Sequence, residues 1–273
     1  MKTIYAGLPF YGGVATADIT DITKYVKRED YRVNSKIPFY TPTTHLPPFL
    51  VCDVIANLPA TADLTLLPYD AITGGESITP TTPLQIIAKD EYFYIVHDGA
   101  DLSAPLTPGR YWLIVEAGTE VYYSEVFSVV DMSTRRWCKI ECSNTNDLGD
   151  ILYATGGFES VYFLNTQLTY PASETVEIGE EKDGEFIAEK LVTKYVMRIS
   201  DYVSRALHRC LMRLPQHDSI TITDEVGNVY SPAVGNVQIE VDWPAFEVCH
   251  IVIKFNDGAN TAFSWTYDMA DII

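Results

Sequence analysis

Short apolar runs separated by turn residues dominate this chain, and most are too short for helices. Trp137–Cys142 alternates apolar and polar residues, the pattern of a half-buried strand. Arg110–Glu116 and Val121–Phe127 flank the turn residues Ala117-Gly118, which is typical of a β-hairpin. Gly and Pro are spread along the chain as punctuation, which favours many strands joined by turns. The pattern predicts a mostly β fold.

One stretch, at about residues 201–213, has helical periodicity instead. Its apolar residues recur at intervals of three and four, which places them on one stripe of a helix. These residues are Val203, Ala206, Leu207, Cys210, Leu211 and Leu214. Ser200 or Asp201 can cap the start of this helix, and Pro215 ends it. The sequence therefore predicts a single amphipathic helix.

A long acidic β-hairpin is predicted immediately before the helix, at about residues 174–190. Two apolar segments, 175–178 and 186–188, flank an Asp183-Gly184 turn. The acidic residues of this hairpin are Glu174, Glu177, Glu180, Glu181, Asp183, Glu185 and Glu189. Such a charged tip is incompatible with a core, so we expect it to project into solvent, into a lumen or onto a basic partner.

These elements predict an N-terminal arm and two β-sandwich-like domains. The arm covers residues 1–45, the first β-sandwich domain covers 46–130, and the second covers 137–273 with the helix and the projecting hairpin. The boundary falls in the short polar segment 131–136.

The predicted arm is richer in basic residues than the rest of the chain. Its proposed contact residues are Lys24, Lys27, Arg28 and Arg32. We expect any early element to be broken by Gly7, Pro9, Gly12 and Gly13. The arm either packs on a neighbouring subunit or wraps its own domain.

The net charge and the cysteine content argue against some classes of function. With a net charge of −18, the chain is not expected to bind nucleic acid through phosphate contacts, although a like-charged surface can line a channel for DNA. Five cysteines in no short-range framework predict free, mostly buried thiols and a reducing compartment. No signal peptide and no long apolar segment is evident, so we expect no membrane contact.

Signatures of catalysis are missing from the sequence. It contains no nucleophile elbow, phosphate-binding loop, dinucleotide fingerprint or HExxH motif, and its five histidines are scattered. Residues 144–150 resemble a calcium loop faintly, but Leu148 stands where an oxygen ligand is needed, so a turn capped by Asx side chains is favoured. We expect no enzyme activity, no cofactor and no metal.

Two alternatives remain open at this point. Trp112, Trp243 or Trp265 could form a platform for sugars, although large aromatic residues in strands usually belong to the core. The 37 acidic residues also leave room for a carboxylate pair that hydrolyses glycosides, but no two of them stand out.

The second half resembles virion structural proteins of tailed bacteriophages and prophages of Bacteroides-like hosts. The resemblance covers about residues 110–255 and is carried by Tyr123–Phe127, Trp137–Glu141 and Asn146–Tyr153 in succession. Such proteins are similar in plan to tail-tip, baseplate and connector components, in which β-sandwich modules assemble as multi-copy rings. The family plan supplies no catalytic residues.

The resemblance implies a structural component of a virion, a tail tip, baseplate or neck ring. Its partners would be copies of itself in a ring and other virion proteins, and it would be made in the cytoplasm of the bacterial host. The alternative function is a carbohydrate-binding β-sandwich that acts in adsorption.

Overall fold

A computed structural model describes residues 1–15, 39–69, 75–99, 102–134, 136–169, 174–176, 180–182, 185–187, 190–192, 194–199, 203, 205–245 and 248–257. The strands of its first half are β1 (Phe10–Ala15), β2 (Phe39–Pro42), β3 (Phe49–Val54), β4 (Ala62–Pro68), β5 (Glu76–Ile78), β6 (Gln85–Lys89), β7 (Tyr92–His97), β8 (Gly109–Ala117), β9 (Glu120–Ser124) and β10 (Phe127–Val130).

Twelve further strands and the helices complete the fold. The strands are β11 (Cys138–Ser143), β12 (Ser160–Leu164), β13 (Leu168–Thr169), β14 (Glu174–Val176), β15 (Glu180–Lys182), β16 (Glu185–Ile187), β17 (Lys190–Val192), β18 (Lys194–Ile199), β19 (Ser219–Thr223), β20 (Val229–Tyr230), β21 (Pro232–Ala245) and β22 (Val248–Asp257). The α-helices are α1 (Tyr153–Gly156) and α2 (Arg205–Leu211), and short 3₁₀ helices cover Ile55–Asn57, Met132–Thr134 and Leu214–Gln216. The predicted mostly β fold class is confirmed.

The largest sheet contains eleven strands and runs through both halves of the chain. Its main path is β1-β9-β8-β10-β2-β12-β11-β19-β20, and β4 and β5 branch from it at β8. Within it, β2 runs parallel to β10 and antiparallel to β12, where Tyr40 pairs with Phe163. Strands on either side of the predicted boundary at 131–136 therefore belong to one sheet. The division into two domains stays a prediction.

Two smaller sheets pack with this large one. β3, β7 and β6 form a three-stranded sheet, and β13, β18, β22 and β21 form a four-stranded one. In β3, Phe49 and Val51 contribute to the main core, while Leu50 and Cys52 face a second apolar cluster with Phe158. Because both faces of β3 are buried over Phe49–Cys52, these four residues are all apolar and do not alternate with polar ones.

Both described parts of the predicted arm pack on their own chain. Ile4 and Ala6 lie in the second cluster, and Leu8, Phe10 and Phe39 lie in the main core. These residues therefore pack on their own chain, and the choice between the two alternatives stays a prediction for the rest of the arm.

The expectation that Gly12-Gly13 breaks any early element is wrong. β1 continues through both glycines and pairs antiparallel with β9, and the register shifts between Gly12 and Val14. A bulge of this kind absorbs one extra residue without ending the strand, and glycine is favoured at such a position.

The predicted helix is present but shorter than expected. Ala206, Leu207, Cys210 and Leu211 are buried, which confirms the apolar stripe, but α2 ends at Leu211 instead of 213. The chain then tightens into the 3₁₀ turn Leu214–Gln216, because Pro215 has no N–H with which to continue the α-helical hydrogen bonds. The described residues do not include the cap candidates Ser200 and Asp201, nor residues 202 and 204.

Four of the five cysteines are free and buried, as predicted: Cys52, Cys138, Cys142 and Cys210. Burial is the main cause that raises the pKa of the Cys138 and Cys210 thiols to about 12. These thiols are therefore uncharged packing groups at neutral pH.

Candidate functional site

The predicted acidic hairpin corresponds to two short antiparallel ribbons. β14 pairs with β17, with Val176 opposite Lys190, and β15 pairs with β16, with Lys182 opposite Glu185. Glu174, Glu180, Glu181 and Glu185 lie on these strands, whereas Glu177, Asp183 and Glu189 lie outside the described residues. Within the described pairings, neither ribbon joins the larger sheets. The direction in which the hairpin projects stays a prediction.

The proposed contact residues of the arm, Lys24, Lys27, Arg28 and Arg32, all lie outside the described residues. Whether these four residues contact a neighbouring subunit or their own domain therefore stays a prediction.

A cleft of about 290 Å³ lies on the outer face of β11 and β12. Its floor comes from these two strands, and its walls come from the segment 45–48, the turn at 98–99 and the end of α1. The residues that line it are His45, Leu46, Pro48, Asp98, Gly99, Lys139, Glu141, Gly157, Glu159, Val161 and Phe163. No pattern in the sequence indicates that these distant segments meet.

Strand alternation builds the floor of the cleft. In β11 the buried residues Cys138, Ile140 and Cys142 alternate with Lys139 and Glu141, which are partly exposed. The antiparallel register places Lys139 opposite Phe163 and Glu141 opposite Val161. Because Glu159 comes two residues before Val161, it lies on the same face of the sheet as Glu141 and diagonal to it.

Two glycines shape the walls. Gly99 has φ +81°, and a Cβ atom there would lie 3.1 Å from Cδ of Pro48 and 3.2 Å from the carbonyl oxygen of Leu46. The turn therefore packs closely against the segment 45–48 and holds Asp98 at the cleft. Gly157 has φ +61°, and a Cβ atom there would meet nothing within 4 Å, so the rim on that side is open.

Three carboxyl groups and one ammonium group share the cleft. Nζ of Lys139 lies 2.5 Å from Oε1 of Glu141 and 6.0 Å from the ring centroid of Phe163. Burial raises the pKa of Glu159, and the nearby Glu141 and Asp98 raise it further, while Lys139 opposes them. With all groups ionised, the cleft carries an excess of two negative charges.

This arrangement suits the binding of a small polar ligand. Pro48, Val161 and Phe163 supply apolar surface, the carboxylates accept hydrogen bonds, and Lys139 can donate one. The volume is at the lower end of the range for ligand pockets, which corresponds to one small ring rather than an extended chain.

A Ser–Tyr–His group is buried on the other side of β12. The Tyr153 hydroxyl lies 2.5 Å from Nε2 of His217 and 3.2 Å from Oγ of Ser160, and Nδ1 of His217 lies 3.1 Å from the carbonyl oxygen of Leu214. Nδ1 therefore donates to Leu214, and Nε2 accepts from Tyr153. Ser160 and His217 are 0% and 2% exposed, so this is an internal polar network that stabilises the fold.

The loop that resembles a calcium site is instead a capped turn, as favoured from the sequence. The Asp147 carboxylate accepts hydrogen bonds from the backbone N–H groups of Ala154 and Thr155, both at 2.9 Å, and from Lys89 at 2.7 Å. Although burial opposes ionisation, the Lys89 ammonium and the hydroxyl and N–H groups of Thr155 lower the pKa of Asp147 to about 2. Its charge is therefore used in ordering the start of α1.

Of the aromatic residues considered for sugar binding, Trp112 lies in the core, 2% exposed and stacked on Tyr69 at a centroid distance of 5.9 Å. It offers no external platform. The side chain of Trp243 and the whole of Trp265 lie outside the described residues.

Within the described part of the chain, no group of three or more His, Cys, Asp or Glu side chains is placed to hold a metal ion. The helices in that part are all too short or too polar to span a bilayer.

Comparison with family models, with curated proteins and with solved structures finds no significant match to this chain. The fold defines the class of this protein: it is a mostly β protein of several sheets, with a polar cleft on β11 and β12.

Proposed function

We propose that this chain is a structural component of a tailed-phage virion, in a tail tip, baseplate or neck ring, with no catalytic role. It assembles with copies of itself and with other virion proteins through its β domains and its N-terminal arm. The observation that supports this best is the pair of acidic ribbons, which remain apart from the larger sheets within the described pairings. A hairpin of this kind is suited to strand addition or to packing on a neighbour.

Charge complementarity gives the proposed contact its chemistry. The hairpin carries seven acidic residues between 174 and 189, and the arm carries Lys24, Lys27, Arg28 and Arg32. In a ring, the hairpin of one subunit would meet the arm of the next. Such contacts set register and orientation between subunits and weaken with salt.

The register of the hairpin suggests a precise shortening. Val176 lies opposite Lys190, so an Asn-Gly turn can join these residues in place of 177–189 without disturbing β14 or β17. The mass of the protein in solution, measured by light scattering, and negative-stain images then report assembly. We expect wild type to form a discrete ring and the shortened variant to remain a folded monomer.

A charge swap separates the electrostatic role of the hairpin from its shape. Changing Lys24, Lys27, Arg28 and Arg32 to Glu should abolish the ring, and changing Glu180, Glu181 and Glu185 to Lys in the same chain should restore it. Assembly of the shortened hairpin at wild-type mass would contradict the hairpin's role. A wild-type monomer at every concentration tested would contradict the ring itself.

A second candidate is a carbohydrate-binding module that acts in adsorption, and the cleft on β11 and β12 favours it. Binding to a defined class of glycans on an array would support this function. An array without signal would remove it and leave the assembly proposal unaffected.

A further inference from the structure

We propose that the cleft on β11 and β12 binds a single hexosamine unit whose amino group is free and protonated. This inference rests on the second candidate function, carbohydrate binding, and names its ligand class and its residues. It is independent of ring assembly.

The size and walls of the cleft indicate a ring-sized ligand. A volume of about 290 Å³ is enough for one sugar ring. The close packing of Gly99 on Leu46 and Pro48 fixes one wall, and the open rim at Gly157 leaves room for the next unit of a glycan. A terminal or branching residue of a chain can therefore enter.

The floor offers the two kinds of surface that a sugar needs. Val161 and Phe163, two residues apart on the same face of β12, give an apolar patch for the C–H face of the ring. The carboxylates of Asp98 and Glu141 accept hydrogen bonds from hydroxyl groups, and Lys139 can donate one to a hydroxyl oxygen. A bare ammonium ion would use only the carboxylates and leave the apolar patch uncovered.

The charge balance selects an amino sugar over a neutral or acidic one. Lys139 neutralises one of the three carboxylates through its contact with Glu141 at 2.5 Å, and two negative charges remain. An ammonium group of the ligand beside Glu159 would compensate one of these two charges. A uronic acid would increase the repulsion, and an N-acetylated sugar would lack the charge.

The affinity of the cleft for an amino sugar should depend on pH, because of the same groups. The titratable groups that line the cleft are His45 and Asp98 on the walls, Lys139 and Glu141 on β11, and Glu159 before β12. Glu159 has a raised pKa because of burial and of its neighbours Glu141 and Asp98. A bound ammonium group favours the ionised form, so affinity should fall as the pH drops through the pKa of Glu159, and binding there should release a proton.

The decisive experiment is an NMR titration of the full chain with four probes: glucosamine, glucose, glucuronic acid and methylammonium. We expect glucosamine to bind about tenfold or more tightly than glucose, the discrimination given by one charge-assisted hydrogen bond. Glucuronic acid should not bind, and methylammonium should bind more weakly than glucosamine. Shifted resonances should include those of Phe163 and Val161.

Variants assign the binding to the cleft. Glu159→Gln and Glu141→Gln should each weaken glucosamine binding about tenfold, and Glu159→Gln should also remove the proton release. Glu116→Gln, at an exposed position on β8, is the matched control and should bind as wild type does. A thermal melt of each variant shows that it is folded, which these exposed or half-buried substitutions should not prevent.

The alternative outcomes of these experiments contradict different parts of the proposal. Equal affinity for glucose overturns the charge selection, and equal affinity for methylammonium overturns the sugar assignment. If glucosamine fails to bind while a glycan array is positive, the cleft assignment is wrong but the carbohydrate function stands. If both are negative, both are wrong.

Discussion

Replacing His97 by leucine should stabilise the protein at neutral pH and flatten its response to acid. His97 lies on β7 opposite Phe49, with the two ring centroids 5.3 Å apart, and is 2% exposed. Neither of its ring nitrogens has a hydrogen-bond partner within the described part of the chain. A buried polar group without a partner costs free energy, so an apolar side chain of similar size should increase the free energy of unfolding by about 1 kcal/mol.

Acid should change the free energy of unfolding by more than the substitution does at neutral pH. Burial lowers the pKa of His97 from 6.5 to about 4, although the neighbouring Asp98 opposes the shift. The unfolded chain therefore takes up a proton at a higher pH than the folded chain does. The stability due to the neutral ring is fully present above pH 6.5 and is lost as the pH falls from 6.5 to about 4. At about 1.4 kcal/mol per pH unit, this loss is about 3 kcal/mol.

Urea unfolding between neutral pH and pH 4 measures both effects. The difference in unfolding free energy between His97→Leu and wild type should grow by about 3 kcal/mol over this range. Other acid-sensitive groups act equally in both proteins and cancel in the difference. A constant difference across the range, or a leucine variant less stable at neutral pH, would refute the reasoning and indicate that the His97 nitrogens are hydrogen-bonded.

Three further substitutions test the internal contacts by the same unfolding assay. Tyr153→Phe leaves Nε2 of His217 without its donor and should lower the free energy of unfolding by about 1–3 kcal/mol. A loss smaller than that of a Tyr→Phe change at an exposed position would argue against the network. Asp147→Ala removes the acceptor for two N–H groups at the start of α1 and should cost about 1–2 kcal/mol, and an unchanged midpoint would contradict its capping role. Leu211→Ala, at 0% exposure, should cost about 2–5 kcal/mol, whereas Met212→Ala, at 40% exposure, should cost less than about 0.5 kcal/mol.

Local patterns in the sequence predicted the local elements well. The alternation in Trp137–Cys142 corresponds to β11, whose residues are buried and partly exposed in turn. The predicted hairpin across Ala117-Gly118 is present as β8 and β9, with Gly118 at φ +65°. In these cases the residues that determine the structure are neighbours in the chain, so periodicity and turn chemistry are sufficient.

Such local patterns do not predict which distant strands pair with each other. β2 is four residues long and pairs with β10, nearly ninety positions away, so no local signal identifies its partner. β1 was missed because two glycines inside a strand look like a turn unless the bulge is known. The early end of α2 depends on how the chain tightens before Pro215.

The cleft shows why a site of this kind escapes sequence reasoning. Its floor belongs to β11 and β12, beyond the predicted boundary at 131–136, and its walls come from residues 45–48 and 98–99, before that boundary. β2 joins the two groups of strands, because it pairs with β10 on one side and with Phe163 of β12 on the other. Phe163 therefore belongs both to the junction and to the cleft floor. If the sequence is divided into two independent modules, Asp98 falls in one module and the charged residues of the floor fall in the other. In the folded chain, Asp98 lies close enough to these residues to raise the pKa of Glu159.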